Sequence, residues 1–351
     1  MKTAKLDYPV HTLDNRLLLP AGKELTSEAL DELIATNKDT SYRAFSFLEH
    51  GTVYKDMLSF LQKPPYNIIF EKLNKTVTLT IMKKISFIHP LLKFLDYFKE
   101  SDFYTYRHSL VVFALSINMA RDLLEEPEDW IMTLMAGTIH DFGKTCVPLQ
   151  VLKSNDPLTR AERSILEHHT LAGYVLLSYF LQDYQSFAAR VAKEHHERRD
   201  GSGYPLGLSL KDRMVEIIAA CDVYDALLSP RPYRPTPYDN RTAIEEITEM
   251  AKEGKLSWEV VQCLVSHNRK DRPHFRECNV STEKRGAPPG DNLYGVIVEK
   301  EIKCPSCHGS CIKKKIYKEY KEGGGQISYE CPNCGKEFDE DDLLNIEMDK
   351  H

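Results

Sequence analysis

His195-His196-Glu197-Arg198-Arg199-Asp200-Gly201-Ser202-Gly203-Tyr204-Pro205 is the stretch on which the reading of this chain turns. Two adjacent histidines and a glutamate close what reads as a helix, and two glycines and a proline then force a tight loop. Neighbouring side chains on a helix diverge by about 100°, so adjacent histidines seldom share one environment. Working outward, the chain offers partners: His140-Asp141 upstream, His108 and His169 on other expected helices, and Asp222 downstream in an otherwise apolar run. Histidines and aspartates gathered from several helices are how a helical fold assembles a metal centre in its core.

The 351 residues are enough for two or three domains. Hydrophobic residues at 42% and charged residues at 28% are ordinary for a soluble globular protein. A net charge of -6 argues against nucleic acid or an anionic membrane as partner. No apolar window is long enough to span a bilayer, and the N-terminus lacks the apolar centre of a signal peptide. Of nine cysteines, four fall in CxxC pairs, a pattern that favours metal binding in a reducing cytosol over a disulfide framework. A cytoplasmic protein is expected.

Residues 1–98 read as a small α+β region with a sensing or packing role. Residues 14–22 suggest a short strand pair, and Ser27 suits the N-cap of a helix whose apolar side carries Leu30, Leu33 and Ile34. Residues 99–276 are helical in pattern. His108 shares a face with Val111, Val112 and Leu115, which turns it toward the core. An apolar helix over 131–139 ends at His140-Asp141-Phe142-Gly143-Lys144, where Gly143 suits a helix C-terminus. Thr159-x-x-Glu162 is a capping box opening the helix that bears His168 and His169, and periodicity does not choose between those two. Asp222 lies on an apolar face within 214–228, where a carboxylate needs a cation or strong hydrogen bonds. One amphipathic helical stretch over 243–267 is expected to close the domain.

Residues 277–300 read as a linker and 341–351 as an acidic tail. Between them, 301–340 hold two knuckles, Cys304-Pro-Ser-Cys307 and Cys331-Pro-Asn-Cys334, around an expected hairpin. Four thiolates in two such turns match one structural zinc site, and so small a unit needs the metal to fold.

With His108, His140-Asp141, His169, HHERRDGSGYP and Asp222 in this order, residues 101–276 resemble the HD-GYP family. These are metal-dependent phosphodiesterases of the HD superfamily that act on cyclic di-GMP. The likeness extends to HDFGK from His140, to H-x-x-x-G-Y at His169–Tyr174 and to DVYDALLSPRPYR from Asp222. The resemblance implies a mainly α fold, an HD-superfamily helical bundle, here with the small α+β N-terminal region and a C-terminal segment that resembles a zinc ribbon. The stretch 17–33 also looks like the small segment found ahead of some HD-GYP domains.

The resemblance further implies that His108, His140, Asp141 and Asp222 hold one metal, and that His169, His195 and His196 hold a second, with Asp141 bridging. It selects His169 over His168. Lys144 falls where the family's lysine contacts the scissile phosphate, and Arg231 and Arg234 fall where basic side chains contact guanine. Tyr104 stands where some members carry the glutamate of a third metal, so this chain looks dinuclear. Imidazole-rich ligation suits iron, manganese or zinc better than magnesium, the resemblance points to iron or manganese, and two such ions would supply hydroxide at neutral pH. Glu197 and Asp225 are candidates for orienting the ligands. The expected reaction is hydrolysis of cyclic di-GMP to pGpG, GMP or both. The alternatives are another cyclic dinucleotide or nucleotide as substrate, or a non-catalytic cyclic di-GMP effector. A protein partner docking on the GYP loop or the ribbon, and a homodimer, stay open.

Overall fold

A computed structural model describes residues 4–38, 42–71, 80–156, 158–231 and 234–289, and from the C-terminal part 313–316, 327–330, 334 and 337–339. The N-terminal region is α+β. Strand β1 (Val10–His11) pairs antiparallel with β2 (Leu17–Leu19). Helix α1 (Ser27–Ala35) follows, and its N-cap is Thr26 rather than Ser27: the Thr26 hydroxyl accepts the Ala29 amide at 3.2 Å. Strand β3 (Ala44–Ser46) reaches across α2 (Val53–Leu61) and α3 (Tyr66–Glu71) to pair antiparallel with β4 (Ser86–Ile88).

The rest of the globular part is helical: α4 (His89–Ser101), α5 (Phe103–Leu123), α6 (Pro127–Ile139), a 3-10 turn (Phe142–Cys146), α7 (Leu149–Leu152), α8 (Arg160–Glu167), α9 (His169–Leu181), α10 (Phe187–Glu194), α11 (Arg213–Leu228), α12 (Asn240–Lys252) and α13 (Trp258–His267). Helix α5 is the axis. Every residue from Leu110 to Ala120 is buried, so it is apolar nearly all round, as a helix enclosed by others must be. It packs against α2, α4, α6, α11 and α13. The N-terminal region shares this core: the Phe47 ring meets Phe113 edge-on at 4.8 Å, and Phe94 of α4 stacks on Phe142 of the 3-10 turn at 5.3 Å. Helix α4 runs across residues 98 and 99, and the apolar core is continuous there.

The capping box at Thr159 and Glu162 forms as expected. The single helical stretch expected over 243–267 is instead two helices, because Gly254 takes a left-handed φ of +77° and ends α12. In the C-terminal part, β5 (Lys313–Ile316), β6 (Ile327–Glu330) and β7 (Glu337–Asp339) form an antiparallel sheet in that order, with β5 and β6 as a hairpin. Cys304, Cys307, Cys331 and the tail lie outside the described residues, and Cys334 is exposed. Among the described residues no helix is long and apolar enough to cross a membrane.

Candidate metal centre

Seven side chains singled out in the sequence converge below the end of α6. Three of the histidines stand at helix ends: His140 caps α6, His169 opens α9 directly after α8, and His195 caps α10. His108 comes from α5 and Asp222 from α11. Gly143 makes the meeting close. A Cβ there would stand 1.8 Å from the His169 carbonyl oxygen and 2.4 Å from the Gly173 nitrogen, so only glycine lets the 3-10 turn lie on α9.

The ring nitrogens are assigned by their neighbours. His140 Nδ1 lies 2.8 Å from the Gly137 carbonyl, His169 Nδ1 2.6 Å from that of Leu166, and His195 Nδ1 3.0 Å from those of Val191 and Ala192. A carbonyl only accepts, so each Nδ1 carries the proton and each neutral ring presents a bare Nε2 to the centre. His169 Nε2 and His195 Nε2 then face one another at 3.3 Å, two lone pairs in a dry interior. Burial pulls His169 down to about 4 and holds His195 well below the usual range, so no proton stands between them at neutral pH. A cation resolves that contact.

Asp141 lies between two groups. Its Oδ2 is 3.7 Å from His108 Nε2 and 3.5 Å from His140 Nε2, while its Oδ1 is 3.4 Å from His169 Nε2 and 3.9 Å from His195 Nε2. Burial would raise its pKa, but the Lys144 ammonium, 2.6 Å from Oδ2, and the surrounding imidazoles hold it well below the carboxylate range. Asp222 likewise stays ionised against its burial, with His108 Nε2 3.0 Å from its Oδ1 and His196 Nδ1 3.9 Å from its Oδ2. Potential metal ligand atoms cluster within 4.8 Å in three overlapping sets, His108–His140–Asp222, His169–His195–His196 and, joining them, His140–Asp141–His195. His140 Nε2 and Asp141 Oδ1 are buried without a hydrogen-bond partner, as ligand atoms facing an ion are. The residues fit divalent metal ions. Burial lowers the pKa of His108, but Asp222 and Asp225 outweigh it and raise the ring to about 8, so without metal a proton occupies the ring and must leave on binding.

The supporting residues divide differently from expectation. Asp225 touches the cluster: its Oδ2 accepts His108 Nδ1–H at 2.7 Å. Glu197 does not touch the cluster; its two oxygens accept the Leu206 and Leu208 amides, each at 2.8 Å, and so shape the loop after the histidines. His168 turns away from the centre and meets the Tyr8 ring at 5.4 Å, which leaves His169 inside. His196 stacks on Tyr204 of the loop at 4.5 Å.

The two arginines also part. Arg231 lies 3.9 Å over the Tyr104 ring, which in turn stacks on His108, and it borders a cavity of about 310 Å³ with Asp102, Phe103 and Lys153. Arg234 is only 6% exposed, and its Nη2 donates to the carbonyls of Ala226, Leu227 and Ser229 at the end of α11. It closes a helix end, so the expectation of two guanine-facing arginines narrows to Arg231. Sequence reading missed Tyr66, whose hydroxyl donates to Asp225 from 159 residues away; no local pattern marks it. It missed Arg107 as well, which stands beside Tyr66 and Asp225.

Asp122, Cys263 and His267 form another ligand-like set. There Arg272 Nη2 donates to His267 Nδ1 at 2.8 Å and His267 Nε2 faces Asp122 Oδ2 at 3.0 Å, so both ring nitrogens are already matched to protein groups.

A cyclic di-GMP phosphodiesterase of Pseudomonas aeruginosa is 39% identical over 157 residues, 44% of this chain and 36% of that protein. A cyclic di-GMP phosphodiesterase of Thermotoga maritima is 31% identical over 235 residues, 64% of this chain and 63% of that one. A 3'3'-cGAMP-specific phosphodiesterase of Vibrio cholerae is 37% identical over 134 residues, 37% of this chain and 30% of its own length. The chain thus spans less than two thirds of each relative. The HD domain model matches residues 83–259, half of the sequence and all seven converging side chains, and the chain belongs to the HD domain family.

Proposed function

We propose that this chain is a metal-dependent phosphodiesterase that hydrolyses cyclic di-GMP to linear pGpG, GMP or both. The observation that carries the reading is the Asp141 carboxylate, with one oxygen toward His108 and His140 and the other toward His169 and His195. In this reading His108, His140, Asp141 and Asp222 hold one ion, and His169, His195 and His196 hold the second with Asp141 shared. Imidazole-rich ligation favours iron or manganese over magnesium.

When bound, the two ions supply Lewis acidity toward the phosphoryl oxygens and a nucleophile from water at neutral pH. The protein's own groups do the rest. The Nδ1–H bonds to backbone carbonyls and to Asp225 keep each imidazole in the tautomer that exposes Nε2. Lys144, nearly buried beside Asp141, adds a fixed positive charge where negative charge grows on the phosphate. Arg231, 3.9 Å over the Tyr104 ring beside the cavity, carries the forked donor that matches the guanine O6 and N7 acceptors. Tyr104 offers no carboxylate for a third ion.

We assign Cys304, Cys307, Cys331 and Cys334 to one structural zinc, supported by the β5–β6 hairpin between the two knuckles. The Vibrio relative favours a second reading, 3'3'-cGAMP as substrate, since one guanine suffices to engage Arg231. The test is elemental analysis of the purified protein followed by product analysis with cyclic di-GMP and 3'3'-cGAMP side by side. Two ions per centre and faster turnover of cyclic di-GMP are expected. Faster turnover of 3'3'-cGAMP selects the second reading, and binding without hydrolysis by the fully metallated protein makes the chain an effector.

A further inference from the structure

The N-terminal region reaches the centre through α3. Tyr66, its first residue, is 3% exposed and donates its hydroxyl to Asp225 Oδ1 at 2.5 Å. Burial and the Asp225 charge push the phenol far above its usual range, so Tyr66 remains a neutral donor. Arg107 completes the arrangement. Its Nη1 lies 3.1 and 3.2 Å from the two Asp225 oxygens and 2.7 Å from Ser229 Oγ, and its Nη2 donates to Tyr66 Oη at 3.1 Å. The guanidinium also stands over the rings of Phe60 on α2 and Tyr66 on α3, at 5.9 and 5.4 Å.

One fully buried carboxylate therefore takes hydrogen bonds from a tyrosine of the N-terminal region, an arginine walled in by that region, and His108. A connected chain runs Arg107→Tyr66→Asp225←His108. In a dry interior each link is strong while complete and costly when broken, and the links act together. If α3 lifts, Asp225 loses its Tyr66 donor and Arg107 loses an aromatic wall. The carboxylate is then held through Arg107 and Ser229 alone, less firmly than before, and the imidazole it orients is held less firmly with it.

We propose that Tyr66 is a positioning residue for His108, so that seating of α3 and retention of metal at the His108–His140–Asp222 set are coupled. The N-terminal region is thereby an input to the centre rather than a passive cover. The inference rests on His108 being a metal ligand, and the experiment separates the two.

Full-length Tyr66→Phe keeps the ring and removes only the hydroxyl. Its two ions are followed by elemental analysis during competition with a chelator, with folding checked by circular dichroism. About 10-fold faster loss of one ion is expected, at the low end of what removal of an outer partner does, with the other ion unaffected. Turnover of cyclic di-GMP falls in kcat with KM within about twofold, and excess metal restores it. Tyr54→Phe, on the exposed side of α2, behaves as wild type. Adding Tyr66→Phe to Asp225→Asn changes nothing further, because the relay is already cut. Arg107→Lys, which keeps the charge but loses the fork, gives the same loss of one ion and serves if Tyr66→Phe does not fold. Wild-type retention of both ions in the folded variants, or an undiminished effect on the Asp225→Asn background, overturns the proposal. His108→Ala marks the other failure: if it too keeps both ions, the metal-centre reading falls along with the proposal, whereas loss of one ion there with no effect of Tyr66→Phe sinks the proposal alone.

Discussion

Gly143→Ala tests whether backbone contact places the second set of ligands. The new Cβ would stand 1.8 Å from the His169 carbonyl oxygen, 2.4 Å from the Gly173 nitrogen and 2.8 Å from the His169 carbonyl carbon. All three are backbone atoms of α9, so no side chain can swing aside. Real Cβ contacts do not fall under 3.0 Å, so the turn and the helix must separate by about 1.2 Å. Metal–ligand distances tolerate about 0.2 Å, and His169 sits at the point of contact. Overpacking of this kind costs about 1–3 kcal/mol, and a displacement of about 1 Å at a reacting centre costs about 100-fold in rate. The expected variant folds with a lowered melting temperature, keeps the ion at His108, His140 and Asp222, loses the ion at His169, and turns over cyclic di-GMP at least about 100-fold more slowly. Gly137→Ala is the contrast, because its Cβ would meet the Ser116 hydroxyl at 3.1 Å, a side chain that can rotate, and a milder effect is expected. Melting curves, elemental analysis and a turnover assay on the two variants decide it. Two ions and wild-type turnover in Gly143→Ala would refute the idea that this close approach positions His169.

Asp141→Ala removes the carboxylate shared by both sets, so elemental analysis should show both ions depleted and hydrolysis abolished; two retained ions would remove Asp141 from the centre. Arg231→Ala should raise KM for cyclic di-GMP with metal content unchanged, while Arg234→Ala should leave KM alone and lower stability by about 1.5–3 kcal/mol for a charged hydrogen bond lost at the end of α11. Asp56 provides a pH signature: burial would raise its carboxyl, but hydrogen bonds from Lys99, Thr52 and Tyr106 hold it below its ordinary value. Because the folded pKa is the lower one, the stability it contributes is present above the ordinary carboxylate pKa of about 4 and lost as pH falls through the folded pKa, so urea curves of wild type and Asp56→Asn should differ at pH 7 and draw together as the pH is lowered below about 4. Removing residues beyond 299 should leave hydrolysis intact and take away one zinc; lost turnover in a truncated protein that stays folded and metallated would make the ribbon part of the active assembly.

Much of the centre was legible because its chemistry is carried by residue types that apolar helices otherwise avoid. His108 and Asp222 each interrupt a run of buried apolar residues, and the period of that run assigns their face. What stayed illegible depends on atoms far apart in sequence or on the alternative partners of one group. Arg234 looks like Arg231 in sequence, yet the carbonyls left at the end of α11 capture it. Glu197 looks like a ligand-orienting carboxylate, yet two amides of its own loop occupy it. Tyr66 could not be found at all, since its partner lies beyond any local window.

The choice between His168 and His169 shows where periodicity ends and hydrogen-bond accounting begins. Both fit an apolar stripe, but α8 ends at Glu167 and α9 starts at His169, so the His168 amide is shared between the Ser164 and Leu166 carbonyls of the last turn of α8, which keep lone pairs open to side chains. His169 Nδ1 satisfies the one at Leu166. His140 does the same for Gly137 at the end of α6, and His195 for Val191 and Ala192 at the end of α10. In each case a carbonyl that a helix end must satisfy fixes the tautomer that bares Nε2. Helices α6 and α10 also end beside the cluster, and the negative end of a helix dipole favours a cation nearby. Histidines at helix ends thus answer two requirements with one bond, and removing the ring, as in His140→Ala, should both lower metal affinity and fray the last turn of α6.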